Sequence, residues 1–249
     1  MVPSGYERLL VGHAVAIARA DAVPGIRRAL IGADGTRSTL HEYASRQIGA
    51  RALAGRRPAY AIALPESTLR VVVRHNQHGG AFRALTRDRF FSPTRAPYEL
   101  TVSLELRKLG VPTPDVVAYV LYPPGQLLQR CDVASREIPD GRDLAGILMS
   151  DGQTERAAAL AATARLVASL SGVGARHHDL NAKNVLVTLD AAYILDVDRM
   201  TLGGSAEDAL RGNLARLSRS LRRWRDRFGA RITEDDISDL AAVARGAGD

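Results

Sequence analysis

The feature that most constrains this chain is the stretch ARHHDLNAKNVLVTLDAAYILDVDR at residues 175–199. It places four aspartates, two adjacent histidines and two asparagines around two short apolar runs. The runs NVLV and YIL, with a turn between them at residues 189–191, predict two antiparallel strands. Such a hairpin would return Asp196 to the neighbourhood of Asn184, with Asp179 in the loop before it. The sequence therefore predicts one pocket that holds a base and two oxygen ligands.

Phosphoryl transfer is the chemistry that needs these groups, because it requires a carboxylate beside the attacking hydroxyl and hard oxygen ligands for Mg²⁺. The stretch matches the loop pattern H-x-D-L-x-x-x-N of the protein-kinase-like fold, followed by its metal-binding aspartate. That match implies Asp179 as the catalytic base, and Asn184 and Asp196 as magnesium ligands. It also implies that His177 braces the loop and that Lys183 reaches the transferring phosphate. The alternative is structural, with the same side chains capping turns and ending a strand.

The rest of the chain supplies a β-rich half followed by a helical half. PAYAIALPESTLRVVVRH predicts a hairpin, and VPTPDVVAYVLYPPGQLLQRCDVASREI predicts two strands joined at PPG. Between them, PYELTVSLELRKLG predicts a helix that begins near Pro97 and ends at Gly110. LAGILMS, TERAAALAATARLVASLSG and NLARLSRSLRRWRDRFGARI predict three more helices, with Thr154 as N-cap of the second. The first 35 or so residues give only a weak signal.

The predicted fold class is α+β, a two-lobed protein-kinase-like fold. Residues 1–138 form the β-rich N-terminal lobe in this prediction. Residues 139–143, within PDGRD, form a hinge. Residues 144–249 form a mainly helical C-terminal lobe that contains the catalytic loop and the metal-binding hairpin.

A kinase-like N-terminal lobe needs a strand cation that pairs with a helical glutamate and contacts the nucleotide phosphates. Arg74 in LRVVVR and Glu99 in the helix after Pro97 are the candidates, since an arginine carries the same charge as the usual lysine. Their alternative roles are an exposed strand-end arginine and a glutamate favoured by the helix dipole. Gly55, in AGRRP, is the candidate for the phosphate loop by position alone. Glu137 and Ile138, directly before the hinge, complete the predicted nucleotide contacts.

Four blocks resemble the lipopolysaccharide core kinases, and within them the enzymes that phosphorylate 3-deoxy-D-manno-octulosonic acid (Kdo). They are VVVRHNQHGG, TRAPYEL followed by LGVPTP, HHDLNAKNVLV with ILDVDR, and NLARLSRSL, between about residues 70 and 221. The resemblance implies transfer of phosphate from ATP, with Mg²⁺, to the 4-hydroxyl of Kdo on the lipid A precursor. The chain departs from regulated protein kinases at His178, in place of the HRD arginine, and at Asp198, in place of the DFG glycine. The alternatives are a kinase of another small-molecule or heptose hydroxyl, and a catalytically weak binding module.

The charge of the chain favours anionic partners. Its 34 basic and 27 acidic residues give a formal net charge of +7, and all the basic residues but Lys108 and Lys183 are arginines. We expect no nucleic-acid partner, because no binding motif is present and aromatic residues are few. No apolar run is long enough to span a membrane, so we expect a protein that is soluble or lies on a membrane without crossing it. The resemblance to the lipopolysaccharide core kinases implies a cytoplasmic location.

The arginine-rich C-terminal helix predicts peripheral contact with the anionic cytoplasmic face of the inner membrane. Eight arginines lie between residues 211 and 231. An apolar stripe on the same helix is expected to pack on the helical lobe; its members are Leu214, Leu217, Leu221, Trp224 and Phe228. The oligomeric state is left open.

Overall fold

An antiparallel sheet organises the N-terminal part of the computed structural model, which describes residues 2–32, 38–53, 58–76, 95–122 and 130–246. Over these residues the sheet has seven strands, in the order β1-β2-β6-β7-β5-β4-β3. They are β1 (Tyr6–Val11), β2 (Ala14–Arg19), β3 (Arg51–Leu53), β4 (Ala59–Ala63), β5 (Arg70–Asn76), β6 (Val116–Tyr122) and β7 (Arg130–Arg136).

Helices cover part of this sheet and close its core. The helices of this part are α1 (Val23–Ile31), α2 (Leu40–Arg46) and the start of α3 (Ala96–Lys108). A capping box starts α2, in which Thr39 Oγ1 accepts from the Glu42 N–H and the Glu42 carboxylate accepts from the Thr39 N–H. Ile26 and Leu30 of α1 and Leu40 of α2 pack against Val71 and Val73 of β5 and their neighbours in one apolar cluster.

The C-terminal part is mainly helical. Its helices are α4 (Leu144–Leu148), α5 (Gln153–Gly172), α6 (Ala206–Phe228) and α7 (Glu234–Gly246). Its short strands are β8 (Arg142–Asp143), β9 (Arg176–His177), β10 (Val185–Val187), β11 (Ala192–Ile194) and β12 (Met200–Thr201). The strands β8, β10 and β11 form one small antiparallel sheet, and β9 pairs with β12. The core beneath them includes Leu170 of α5 and Leu217 and Leu221 of α6, all fully buried.

The chain divides into two units, Met1–Thr101 with Asp115–Glu137, and Val102–Pro114 with Ile138–Asp249. The segment Val102–Pro114, which the sequence analysis assigned to the N-terminal lobe, thus groups with the second unit. Arg142 and Asp143, assigned to the hinge, form β8 against β10. The lobe boundaries themselves stay a prediction.

Most predicted elements are present, and the α+β class is confirmed. The hairpin at residues 185–194 has the predicted turn, and the helix after Pro97 ends before Gly110, whose positive φ of 76° suits a glycine. The predicted join at PPG lies outside the described residues. The prediction of Thr154 as an N-cap is wrong: α5 begins at Gln153, and Gly152 occupies the cap position without a side-chain hydrogen bond. Arg156 Nη1 instead donates to the Ser150 carbonyl (2.7 Å) and ties the first turn to the preceding loop.

A glycine turn leads from α5 into the loop that carries the predicted active-site residues. Gly174 has a φ of 65°, and a Cβ there would lie 2.1 Å from the Gly204 carbonyl oxygen. The Gly204 N–H donates to the Gly174 carbonyl at 3.1 Å. Only a residue without a side chain permits this approach, because any Cβ would clash with backbone that cannot rotate away. The turn therefore fixes where β9, and with it His177, begins.

Candidate active site

The loop from His177 to Asn184 is closed by side-chain hydrogen bonds to one residue, Asp179. The Asp179 N–H donates to His177 Nδ1 at 3.1 Å. The Asp179 carbonyl accepts from Asn184 Nδ2 at 3.0 Å and from Asn181 Nδ2 at 2.9 Å. Because both backbone groups of Asp179 are held, the residue is fixed in place while its side chain stays exposed. An exposed carboxylate on a rigid loop is suited to accept a proton from an incoming hydroxyl.

His177 connects this loop to the hairpin. The side chain is fully buried, and Nε2 donates to the Leu195 carbonyl at 3.1 Å while Nδ1 accepts from Asp179. This pattern assigns the neutral ring with its proton on Nε2. Burial lowers the pKa of His177, and the Leu195 carbonyl and the nearby Asp196 offset that effect only in part. A neutral imidazole, hydrogen-bonded through both of its ring nitrogens, thus sets the distance between the loop and Leu195.

Asn184 and Asp196 lie at the open end of the β10–β11 ladder. Val185 pairs with Ile194, and the Leu195 N–H donates to the Asn184 carbonyl at 2.8 Å. Asp196 is the residue after Leu195, the hydrogen-bond partner of Asn184. Asp196 is exposed and has a φ of 54°, a left-handed conformation that costs a residue with a Cβ free energy and often marks functional sites. The structure thus brings Asp179, Asn184 and Asp196 together.

The side chains of Asn184 and Asp196 fit a magnesium ion. Asn184 is 8% exposed, and its Nδ2 donates to the Asp179 carbonyl. Its Oδ1 is therefore the atom that can serve as a hard oxygen ligand. Asp196 adds a carboxylate. Magnesium in phosphate-transfer sites is commonly held by one or two protein oxygens together with substrate phosphates. The pair matches that donor set.

Lys183 does not stand alone beside this site. Its Nζ lies 3.1 Å from Asp143 Oδ1 and 5.4 Å from the centre of the Trp224 ring. Asp143 also caps α4, since its Oδ1 accepts from the Gly146 N–H at 2.8 Å. Lys183 is thus paired with a carboxylate that was not among the predicted site residues.

Helix α6 holds the loop from His177 to Asn184 through two residues that were not predicted from the sequence. Asn213 Oδ1 accepts from the His177 N–H (2.9 Å), and its Nδ2 donates to the Ala175 carbonyl (2.9 Å). Ser220 Oγ accepts from the Ala182 N–H at 3.1 Å. Both residues lie in the NLARLSRSL block, where the leucine pattern was the visible signal. The burial of Asn213 is seen only in the structure.

The first unit contains the predicted cation–glutamate pair. The Arg74 guanidinium on β5 donates to Glu99 Oε1 on α3. Glu99 is 2% exposed, and its Oε2 has no hydrogen-bond partner among the residues that the structure describes. Breaking such a pair by removing one partner leaves a buried charge uncompensated, which costs several kcal/mol. The pair therefore fixes Arg74 against α3.

The remaining predicted nucleotide contacts are placed differently. Gly55 lies outside the described residues. The Glu137 carboxylate accepts from Arg51 Nη2 (2.7 Å) and from Arg70 Nε (2.6 Å), and so ties β3 to β5. Burial raises the pKa of Glu137, but the two guanidinium groups outweigh it and the net shift is downward. Ile138 is half-buried and is the first residue of its segment in the second unit.

Comparisons with known proteins agree with this geometry. The model of the lipopolysaccharide kinase (Kdo/WaaP) family matches residues 46–243. The chain belongs to that family. A 3-deoxy-D-manno-octulosonic acid kinase of Vibrio parahaemolyticus serotype O3:K6 is 29% identical over 184 aligned positions, in an alignment that covers 67% of this chain and 74% of that protein. One of Xanthomonas euvesicatoria pv. vesicatoria is 33% identical over 185 residues, 70% of this chain and 69% of that protein.

Membership in the Kdo/WaaP family makes the chain a phosphotransferase that uses ATP and acts on a hydroxyl acceptor. The ion pair of Arg74 with Glu99 and the loop-plus-hairpin site are also the parts expected of a protein-kinase-like fold. A solved structure titled "WaaP in complex with acyl carrier protein" has a TM-score of 0.43 and 16% identity, covering 80% of this chain and 89% of that one.

The buried His177 predicts a pH-dependent stability. The pKa of His177 is lower in the folded chain than its ordinary value of 6.5. As the pH falls below about 6.5, the unfolded chain therefore binds a proton at this histidine that the folded chain does not bind. Stability is therefore fully present above that pH and declines below it. Denaturant titrations at pH 7.5 and 5.5 should show this loss in the wild type, and His177→Asn should reduce it by roughly 1 kcal/mol. His13 is exposed, so His13→Asn serves as the control and should leave the pH dependence of stability unchanged. A wild-type pH dependence in His177→Asn would contradict the assignment of this effect to His177.

Proposed function

We propose that this chain transfers the γ-phosphate of ATP to the 4-hydroxyl of Kdo on the lipid A precursor, in the synthesis of the lipopolysaccharide inner core. The curated relatives that carry the name Kdo kinase support the acceptor. The observation that carries the reaction is the exposed Asp179 carboxylate on a loop fixed beside Asn184 and Asp196.

Each side chain has one role in this reaction. The Asp179 carboxylate accepts the proton of the Kdo hydroxyl while that oxygen forms its bond to the γ-phosphorus and the bond to ADP breaks. Asn184 Oδ1 and the Asp196 carboxylate hold Mg²⁺. When bound, Mg²⁺ neutralises charge on the phosphates. His177 keeps the loop and the hairpin in register, and Lys183 contacts the transferring phosphate.

The roles of the other predicted nucleotide contacts follow from their chemistry. Arg74, held by Glu99, offers a fork of N–H donors to two phosphate oxygens, where a lysine would offer a point charge. Glu137 contacts the nucleotide through its backbone carbonyl, because its carboxylate is taken by Arg51 and Arg70 and its N–H donates to the Arg70 carbonyl at 2.9 Å. Ile138 adds apolar surface, and Gly55 stays the candidate for the phosphate loop.

The experiment incubates the purified protein with ATP, Mg²⁺ and Kdo-lipid A and follows the product by mass spectrometry. We expect a gain of about 80 mass units on Kdo, the mass of HPO₃. Asp179→Asn should lose roughly 10²- to 10⁴-fold in turnover with nearly unchanged ATP affinity, because only the proton acceptor is removed. Asp190→Asn, an exposed aspartate at the hairpin turn, is the matched control and should keep wild-type turnover.

Three outcomes would overturn parts of this proposal. If product forms only with a heptosylated or an aminoglycoside acceptor, Kdo is not the substrate. Near wild-type turnover in Asp179→Asn would remove Asp179 as the base. ATP binding without transfer to any acceptor would make the chain a kinase-like binding module.

We also propose that the enzyme meets its lipid acceptor at the anionic cytoplasmic face of the inner membrane, through one side of α6. Leu214, Leu217 and Leu221 of this helix are buried in the core. Arg222 and Arg225 pair with Glu234 and lower its pKa to about 2. Four other arginines have no ion pair within the described part of the chain. They recur at steps of three and four, which return to the same side of a helix, and form the arginine row Arg216, Arg219, Arg223 and Arg227.

No helix in the described ranges has both the length and the apolar composition to cross a bilayer. The arginine row offers electrostatic attachment. Each basic residue near an anionic surface contributes roughly 1 kcal/mol, so a row of four can hold the protein reversibly at low salt.

Replacing the arginine row by glutamine should weaken binding to phosphatidylglycerol-rich vesicles on the order of 10²- to 10³-fold at low salt. Flotation assays measure the bound fraction, and high salt should reduce wild-type binding as well. The control replaces four exposed arginines elsewhere, Arg8, Arg27, Arg46 and Arg165, which removes the same charge. Equal loss in both variants would show that net charge, and not the row, attaches the protein.

A further inference from the structure

The ammonium group of Lys183 lies between a carboxylate and an aromatic ring. Its Nζ is 3.1 Å from Asp143 Oδ1 and 3.2 Å from Oδ2. The same atom lies 5.4 Å from the centre of the Trp224 ring, within cation–π distance. Lys183 is about half exposed, with 48% of its side chain accessible, so neither contact is forced by burial.

The ring that faces Lys183 belongs to the helix that also supports the loop. Ser220 and Trp224 are four residues apart on α6 and so lie on one side of it. Ser220 Oγ accepts from the Ala182 N–H, and the Trp224 ring contacts the very next residue, Lys183. Trp224 itself packs against the core of the second unit and against the Phe228 ring, 4.6 Å between centres. The Trp224 ring is therefore held in place by its own packing, and the Lys183 side chain lies against it.

This surface restrains Lys183 in a way that a carboxylate does not. A lysine has a flexible four-carbon stem, and one exposed ion pair restrains it weakly. The face of an indole attracts the charge without accepting an N–H from it. An ammonium group has three N–H donors, so donors remain for phosphate oxygens while the group rests on the ring.

We propose that Trp224 is a positioning residue for phosphate transfer, which holds the Lys183 ammonium at the place where it contacts the transferring phosphate. Asp143 pairs with the same ammonium group. This inference rests on the proposed function, because it uses Lys183 as a phosphate contact. It assigns to Trp224 a role beyond its place in the apolar stripe of α6.

A double-mutant cycle tests the proposal in the Kdo transfer assay. Trp224→Leu keeps apolar bulk but removes the ring face, and should lower kcat about five-fold with little change in the KM for ATP. Trp224→Phe retains an aromatic face and should recover most of the loss. In a Lys183→Met background, Trp224→Leu should have no further effect. An equal loss with and without Lys183, or no loss in the wild-type background, would overturn the proposal.

Intrinsic fluorescence tests the contact without an acceptor. Trp224 is the only tryptophan of the chain, and Lys108 is the only other lysine. Lys183→Met should change the native emission spectrum in the absence of nucleotide, whereas Lys108→Met, at an exposed lysine paired with Glu105, should not. Mg-ATP should alter the emission of the wild type, and Lys183→Met should abolish that response.

These readouts separate the two proposals. If the wild type transfers no phosphate to Kdo but Lys183→Met changes the emission and abolishes the Mg-ATP response, the proposed acceptor fails and the positioning role stands. If the emission and its response to Mg-ATP are the same in Lys183→Met and the wild type, the positioning role fails, whatever the acceptor.

Discussion

One hydrogen bond, from the Leu195 N–H to the Asn184 carbonyl, joins the two halves of the candidate active site. It extends the pairing of β10 and β11 beyond Val185 and Ile194 and places Asp196 next to Asn184. The His177 ring secures the same point from the other side, since it donates to the Leu195 carbonyl and accepts from the Asp179 N–H. The backbone and a buried imidazole therefore hold Asp179, Asn184 and Asp196 in place relative to one another.

The local part of this site was predictable from the sequence. Asp179, Asn184 and Asp196 lie on one loop and one hairpin, and both follow from short-range turn and strand signals. The supporting contacts were not predictable in the same way. Asn213 and Ser220 reach the loop from a helix more than 30 residues further along the chain, and periodicity marks that helix face as apolar without selecting its polar members. Asp143 was assigned to a hinge, yet it holds Lys183 across 40 residues.

The fold shows the same division between local and long-range information. The hairpin of β4 and β5, the strands β6 and β7, and the helices α3 to α6 follow from apolar runs and periodicity. The strands β1 and β2 were missed, because buried and exposed residues do not alternate along YERLLV and because the alanines of AVAIAR give a weak strand signal. They become a sheet by pairing with each other and with β6, more than 90 residues away. Thr154 was misassigned as a cap because α5 begins before it, at Gln153, after a glycine that offers no side-chain cap.

The central claim is that Asn184 and Asp196 hold the magnesium of a bound nucleotide, and calorimetry with ATP in the presence and absence of Mg²⁺ tests it most directly. Asp196→Asn is the sharpest variant, because asparagine tolerates the left-handed backbone of this position and removes only the charge. The account predicts that the wild type binds ATP much more tightly with Mg²⁺ than without it, and that Asp196→Asn loses this difference. Magnesium-dependent binding of wild-type strength in Asp196→Asn would contradict the account.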